Sequence, residues 1–187
     1  MIKLGNIVCI SLGLLSQRGT NKFFFGTTAG QIYATIGIHP CSSMELENDP
    51  SILSQIETLA LESKSSNLAI AFGEIGLDYD RLYHASKEIQ LKHFEAQLKL
   101  AKKLDLPLFL HSRAAHEDVV RLLKENEVVR KGVVHSFTGT VEEMRELVAL
   151  GYEIGINGCS LKTEENCEVV RELDLEHLHL ETDGPWC

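Results

Sequence analysis

No basic cluster runs through this chain. Its 18 Lys and Arg stand against 27 Asp and Glu, a formal net charge of −9 over 187 residues, so it has no electrostatic footprint for holding nucleic acid by charge alone. A phosphate-bearing substrate would have to be met by a few placed cationic side chains or by bound metal. Long apolar runs are missing as well. The early stretch 7–15 follows a single cation, Lys3, and has no convincing small-residue cleavage site after it, so it reads as a buried strand rather than a secretion signal. It is also far shorter than the ~20 residues of a membrane span. The cysteines (Cys9, Cys41, Cys159, Cys167, Cys187) are odd in number and show no paired metal-binding spacing, which fits free thiols in a reducing, intracellular setting. With 44% hydrophobic residues, the composition describes one globular domain over residues 1–187 with an ordinary core.

Residues 1–31 match no regular pattern, apart from a strand candidate at 6–15. From residue 32 onward, short apolar runs rich in β-formers (32–38, 68–72, 106–110, 132–134, 152–156 and 178–180) alternate with stretches of helical period. Asp49 before Pro50 predicts a helix start, with Ile52, Ile56, Leu59 and Ala60 on one face. Leu91, Phe94, Leu98, Ala101 and Leu104 form a second apolar stripe. Thr140 and Glu143 predict a capping box, Met144, Leu147 and Val148 a buried face, and Gly151 a C-terminal cap. Repeated βα units imply a parallel sheet whose strands all end on one side.

Each apolar run is followed by a polar residue able to do chemistry. In order these are His39, Glu74, His111, His135, Asn157 and Asp183. If the sheet curls into a barrel, they converge on the rim where barrel active sites lie. Carboxylates and imidazoles without clustered cysteine form a nitrogen and oxygen ligand set suited to Zn²⁺, Mn²⁺ or Mg²⁺. Two such ions a few ångströms apart can activate water and stabilise the leaving oxygen of a phosphodiester. They would also supply the positive charge that an acidic chain does not have.

The stretches IGIHP (from Ile36), GEIGLDYD (from Gly73), LHSR (from Leu110), VVHSFTGT (from Val133), INGCSLKTEEN (from Ile156) and ETDGPWC (from Glu181) resemble the TatD-type metal-dependent deoxyribonucleases, most closely the eukaryotic members. The likeness covers residues 32–187, and the ordered series is far more specific than any one motif. It implies an α/β, TIM-barrel-like metallo-dependent hydrolase cutting DNA phosphodiesters, often from the 3′ end, with two divalent ions as cofactors. It implies further that Glu74 bridges both metals, that His111 and His135 hold one of them, and that Asp183 binds the other and orients or deprotonates the attacking water. His39 and Arg113 are candidates for contacting the scissile phosphate, Arg113 because its fork makes paired hydrogen bonds to phosphate oxygens. DNA is the expected partner, with no membrane and no protein partner evident, and the expected location is nucleus or cytoplasm.

Residues 1–31 depart from that family's pattern. Its first strand normally delivers an H-x-H or H-x-N element, and none precedes Ile32. An eight-stranded barrel typically takes roughly 250 residues. The expectation is therefore an incomplete barrel, without the usual first strand and C-terminal helices. Two alternatives stand beside the nuclease: a non-catalytic shortened form, and a metallohydrolase of small esters or amides. Asp78 and Asp80 either orient the loop after Glu74 or are ordinary turn carboxylates. Lys162 and Thr163 either touch phosphate or, for Thr163, cap the helix at Glu164. His84, His93, His116, His177 and His179 read as structural or solvated, and Trp186 as a base-stacking residue or an unburied tail.

Overall fold

A computed structural model describes residues 8–12 and 32–183, apart from 67 and 129. The remainder of the 1–31 segment and Trp186 lie outside the described residues.

The apolar runs form parallel strands and the stretches of helical period form helices. The strands are β1 (Val8–Leu12), β2 (Ile32–Ile36), β3 (Ala69–Asp78), β4 (Leu108–Arg113), β5 (Gly132–Val134), β6 (Glu153–Ile156) and β7 (Leu178–Leu180). Their spatial order in one sheet is their chain order, and every neighbouring pair is parallel. Sequential parallel order is barrel topology, since an open doubly wound sheet reverses its order at a switch point. One strand, β1, stands ahead of Ile32, inside the 6–15 candidate. Among the described residues β1 and β7 each have one neighbour, so the barrel is not closed.

The helices are α1 (Ser43–Asn48), α2 (Ser51–Ser65), α3 (Lys87–Leu104), α4 (His116–Asn126), α5 (Val141–Ala149) and α6 (Glu164–Glu172). The stripe on α3 is the core face, with Phe94, Leu98, Ala101 and Leu104 buried against Phe72, Leu108 and their neighbours. Helix α2 begins one residue later than the Asp49–Pro50 pair suggests, yet Asp49 still caps it, its carboxylate accepting the Ser51 N–H at 3.0 Å. Thr140 and Glu143 form the expected capping box on α5. At the other end Gly151 takes φ +87°, and the Gly151 and Tyr152 N–H groups bond back to Val148 and Leu147, a Schellman ending. Thr163 caps α6 through the Asn166 N–H at 3.2 Å, as its bland reading holds.

Two glutamines on α3 hold the strand ends in place. Gln97 accepts the Ile38 N–H at 2.7 Å and donates to the Ile38 carbonyl at 3.1 Å. Gln90 does the same for Asp78, at 2.8 and 2.9 Å, and also reaches the Ala85 carbonyl. Both are buried, so each amide satisfies buried main-chain groups that have no water to turn to.

Of the cysteines, Cys41 and Cys167 carry free thiols. Cys159 corrects the expectation of free thiols throughout, because it is disulfide-bonded. Composition counts cysteines but does not show which ones the fold brings together. Among the described residues no helix is long and apolar enough to cross a membrane.

Candidate metal centre

Strand geometry decides which polar side chains meet. Glu74 lies inside β3 rather than at its end, as His111 lies inside β4; both strands run on past the apolar runs at 68–72 and 106–110 into polar and glycine residues. Between Gly73 and Ile75 the register against β4 slips, leaving Glu74 as the extra residue of a bulge. Bulges re-aim a side chain and are common beside active sites. Gly76 then lets the two strands stay in contact, since a Cβ there would stand 1.9 Å from the His111 carbonyl oxygen. His39 comes from three residues beyond β2, where it caps the 3-10 turn Pro40–Ser42. His135 follows β5 directly, and Asp183 lies three residues past β7.

Glu74 Oε1 is the hub. His111 Nδ1 lies 2.8 Å from it, His39 Nε2 3.5 Å and His135 Nε2 3.8 Å. His39 Nε2 and His111 Nδ1 are 3.3 Å apart. Ligands about 2.1 Å from a shared cation sit about 3.0–3.4 Å from one another in octahedral or tetrahedral arrangement. The three spacings among His39, Glu74 and His111 bracket that range, so by spacing these residues form a group able to hold a metal ion, with His39 a member only in the tautomer that frees its Nε2 of a proton. Asp183 joins from the other side, its Oδ1 3.9 Å from His135 Nε2.

Hydrogen bonds on the far side of each ring settle which nitrogen faces the cluster. His111 Nε2 donates to Asp78 Oδ2 at 3.1 Å, and His135 Nδ1 donates to Glu181 Oε2 at 2.8 Å. Each ring is thus backed by a carboxylate, leaving His111 Nδ1 and His135 Nε2 toward Glu74, the usual second partner of a metal-bound imidazole. His39 differs. Its Nδ1 accepts the Cys41 N–H at 3.1 Å, so a neutral ring carries its proton on Nε2 and presents an N–H to the cluster rather than a lone pair.

Charge follows the same geometry. Burial opposes the charged form of both His111 and His135, but the carboxylates around them outweigh it and raise both pKa values. Burial would push Glu74 up; the bond from His111 and the charges of the neighbouring histidines bring it down to about 2. Burial, reinforced by the charge of His111, lowers His39 to about 4, so that ring is neutral. With no added cation, then, a proton shared between His111 and Glu74 holds the place that a divalent ion suits.

The other expected residues sort clearly. Arg113 ends β4, half-buried, and is not drawn into the histidine cluster. It lines an adjacent open groove of about 880 Å³ with Ser112, Phe137, Thr138 and Thr163, and among the described residues its guanidinium forms no hydrogen bond or ion pair. Asn157 turns inward to cap the segment after β6, accepting the Cys159 N–H at 2.8 Å. His93 and His116 are tied to Glu47 and Glu146, His177 and His179 lie beside Glu153, and His84 is an exposed loop residue. Lys162 contacts Cys159 Sγ. Asp78, only 1% exposed, lies inside β3 rather than in a turn, and its carboxylate backs the His111 ring, a role that neither of its readings named. Glu181 was missed; it stands two residues before Asp183, just past β7.

A family model described as TatD related DNase matches residues 4–187. A Schizosaccharomyces pombe protein described as deoxyribonuclease Tat-D is 50% identical over 160 residues, covering 82% of this chain and 51% of the relative. A putative deoxyribonuclease TATDN1 homolog of Encephalitozoon cuniculi is 44% identical over 154 residues, covering 82% and 52%. Among solved structures, a hydrolase TatD family protein from Entamoeba histolytica superposes with TM-score 0.80 at 35% identity, over 95% of this chain and 60% of that one. The chain thus spans about half the length of these curated relatives. A bulged glutamate ringed by carboxylate-backed histidines, on sequential parallel strands within the residues 4–187 that match the family model, places the chain in the TatD-related DNase family.

Proposed function

We propose that this chain is a metal-dependent deoxyribonuclease that hydrolyses DNA phosphodiesters, with 3′ exonuclease action as the expected mode. The observation that carries the reading is the pair of carboxylate-backed imidazoles converging on one oxygen of Glu74. In this reading Glu74, His111 and His135 would hold one divalent ion (Mg²⁺, Mn²⁺ or Zn²⁺), and Glu74 with Asp183 would hold a second. When bound, the ions supply Lewis acidity to water and to the phosphodiester oxygens.

The chain's own groups do the rest. Asp183, with 38% of its side chain exposed, orients the attacking water and accepts its proton. The His39 Nε2–H donates to a non-bridging phosphate oxygen, which suits a ring kept neutral and fixed from behind by Cys41. Arg113, uncommitted beside the groove, fits the same phosphate with its two-pronged fork. The acidic surface then repels DNA except where ions and these two residues compensate. The same reading puts the enzyme inside the cell, in nucleus or cytoplasm.

The test is twofold. Thermal unfolding with and without Mn²⁺ should show a higher transition temperature with the ion in the parent and not in His111→Ala, because a ligand that binds only the folded state must raise it. Cleavage of single-stranded and duplex DNA should then disappear in His111→Ala and in Asp183→Ala while both remain folded. No cleavage by the folded parent with any of the three ions would overturn the reading, and full activity in either mutant would overturn the residue roles.

A further inference from the structure

Glu181 follows β7, yet its carboxylate is used two strands away. Strand β6 lies between β7 and β5, and at the crossing point stands Gly155. A Cβ on that residue would lie 2.7 Å from Glu181 Oε1 and 3.2 Å from the His135 Cα, tighter than carbon normally tolerates. The carboxylate therefore passes over β6 because position 155 has no side chain. The Glu181 N–H, bonded to the Ile156 carbonyl at 3.1 Å, fixes its starting point.

Beyond β6 the two carboxylate oxygens divide their work. Oε1 accepts the Ser136 N–H at 2.5 Å, where the backbone takes the left-handed value φ +49°, and Oε2 accepts His135 Nδ1–H at 2.8 Å. A carboxylate has only acceptors to offer. With both oxygens engaged, the proton of a neutral His135 must reside on Nδ1, and Nε2 faces Glu74 and Asp183 with a lone pair.

We propose that Glu181 is a positioning residue that sets the tautomer and orientation of His135, and that Gly155 is the gap it needs to do so. The consequence for metal binding rests on the reading of His135 as a ligand. Glu181→Gln makes the claim sharp. An amide can keep its carbonyl on the Ser136 N–H only by turning its NH₂ toward His135, which makes Nδ1 an acceptor and moves the proton to Nε2. The ring then turns an N–H toward the position where a cation would sit.

The experiment is ¹⁵N NMR of the histidine side chains in the metal-free chain, at a pH where His135 is neutral, with His135→Ala to assign its signals, alongside calorimetric titration with Mn²⁺. The parent should show protonated Nδ1 and bare Nε2. Glu181→Gln should show the reverse, and its Mn²⁺ dissociation constant should rise about 10–100-fold, the usual cost of losing such a partner. Gly155→Ala keeps Glu181 but pushes it off its path, so it should loosen both bonds and weaken Mn²⁺ binding as well, and it carries the test if Glu181→Gln fails to fold. An unchanged His135 tautomer in folded Glu181→Gln, or unaltered His135 signals in Gly155→Ala, would overturn the proposal. A reversed tautomer with unchanged Mn²⁺ affinity would uphold the positioning role and overturn His135 as a metal ligand.

Discussion

At Glu74 Oε1, three imidazole nitrogens compete for a single oxygen atom, at 2.8, 3.5 and 3.8 Å. Proton and metal therefore contend for one place, and pH must decide between them. His111 and His135 have raised pKa values in the metal-free chain, so their contribution to stability is present below the ordinary histidine value of about 6.5 and is lost as pH rises through the raised values. A cation needs the same nitrogens free of protons. Glu74, brought down to about 2, and His39, lowered to about 4, keep one charge state above pH 6 and do not disturb this balance. The rise in transition temperature on adding saturating Mn²⁺ should accordingly be larger at pH 8 than at pH 6, measured by thermal unfolding at fixed ionic strength. An equal or smaller rise at pH 8 would mean that these two rings are not the ligands.

Among the elements, α3 carries the most information for the site, since Gln90 and Gln97 fix the backbones of Asp78 and Ile38. Gln97→Ala strands a buried N–H and a buried carbonyl at Ile38. It should cost on the order of 2 kcal/mol or more, and the chain segment carrying His39 should loosen with it. Thr140→Ala removes only the α5 cap bond, worth about 1 kcal/mol. At roughly 2–4 °C per kcal/mol for a chain of this size, the two are separable by thermal unfolding, and only Gln97→Ala should also alter the His39 environment. The helices themselves were legible, because apolar period and the Thr140, Glu143 and Gly151 cap residues act locally. So were six strands and the order of His39, Glu74, His111, His135 and Asp183. The bulge at Glu74 was not, because slippage of register is set by the neighbouring strand. Nor were the glutamine clamps, since Gln on a helix usually faces water and only tertiary packing buries it. Glu181 could have been found from its spacing to Asp183, whereas the crossing over Gly155 requires three strands in place.

For the molecule as a whole, the described sheet has two lateral edges, β1 and β7. Beside β7 stand two of the most exposed large apolar side chains, Leu175 at 83% and Leu180 at 82%. Unpaired strand edges flanked by apolar groups favour pairing with another copy. The chain should therefore self-associate with rising concentration, and Leu180→Lys should reduce that association without lowering the transition temperature. Sedimentation velocity across a concentration series checks it; a parent that stays monomeric would remove this edge as a point of association. Sequential strand order also has a meaning in time. The groups around Glu74 emerge during synthesis in the order in which they stand along the rim, from His39 to Asp183, with each βα unit able to settle on the one before it. Because the carboxylate that backs His135 and the one that faces its Nε2 both follow β7, a nascent chain exposes an unfinished set of groups until β7 and the residues just past it have been made. Any chemistry that needs the whole set is thereby withheld from partly synthesised molecules by the order of the strands alone.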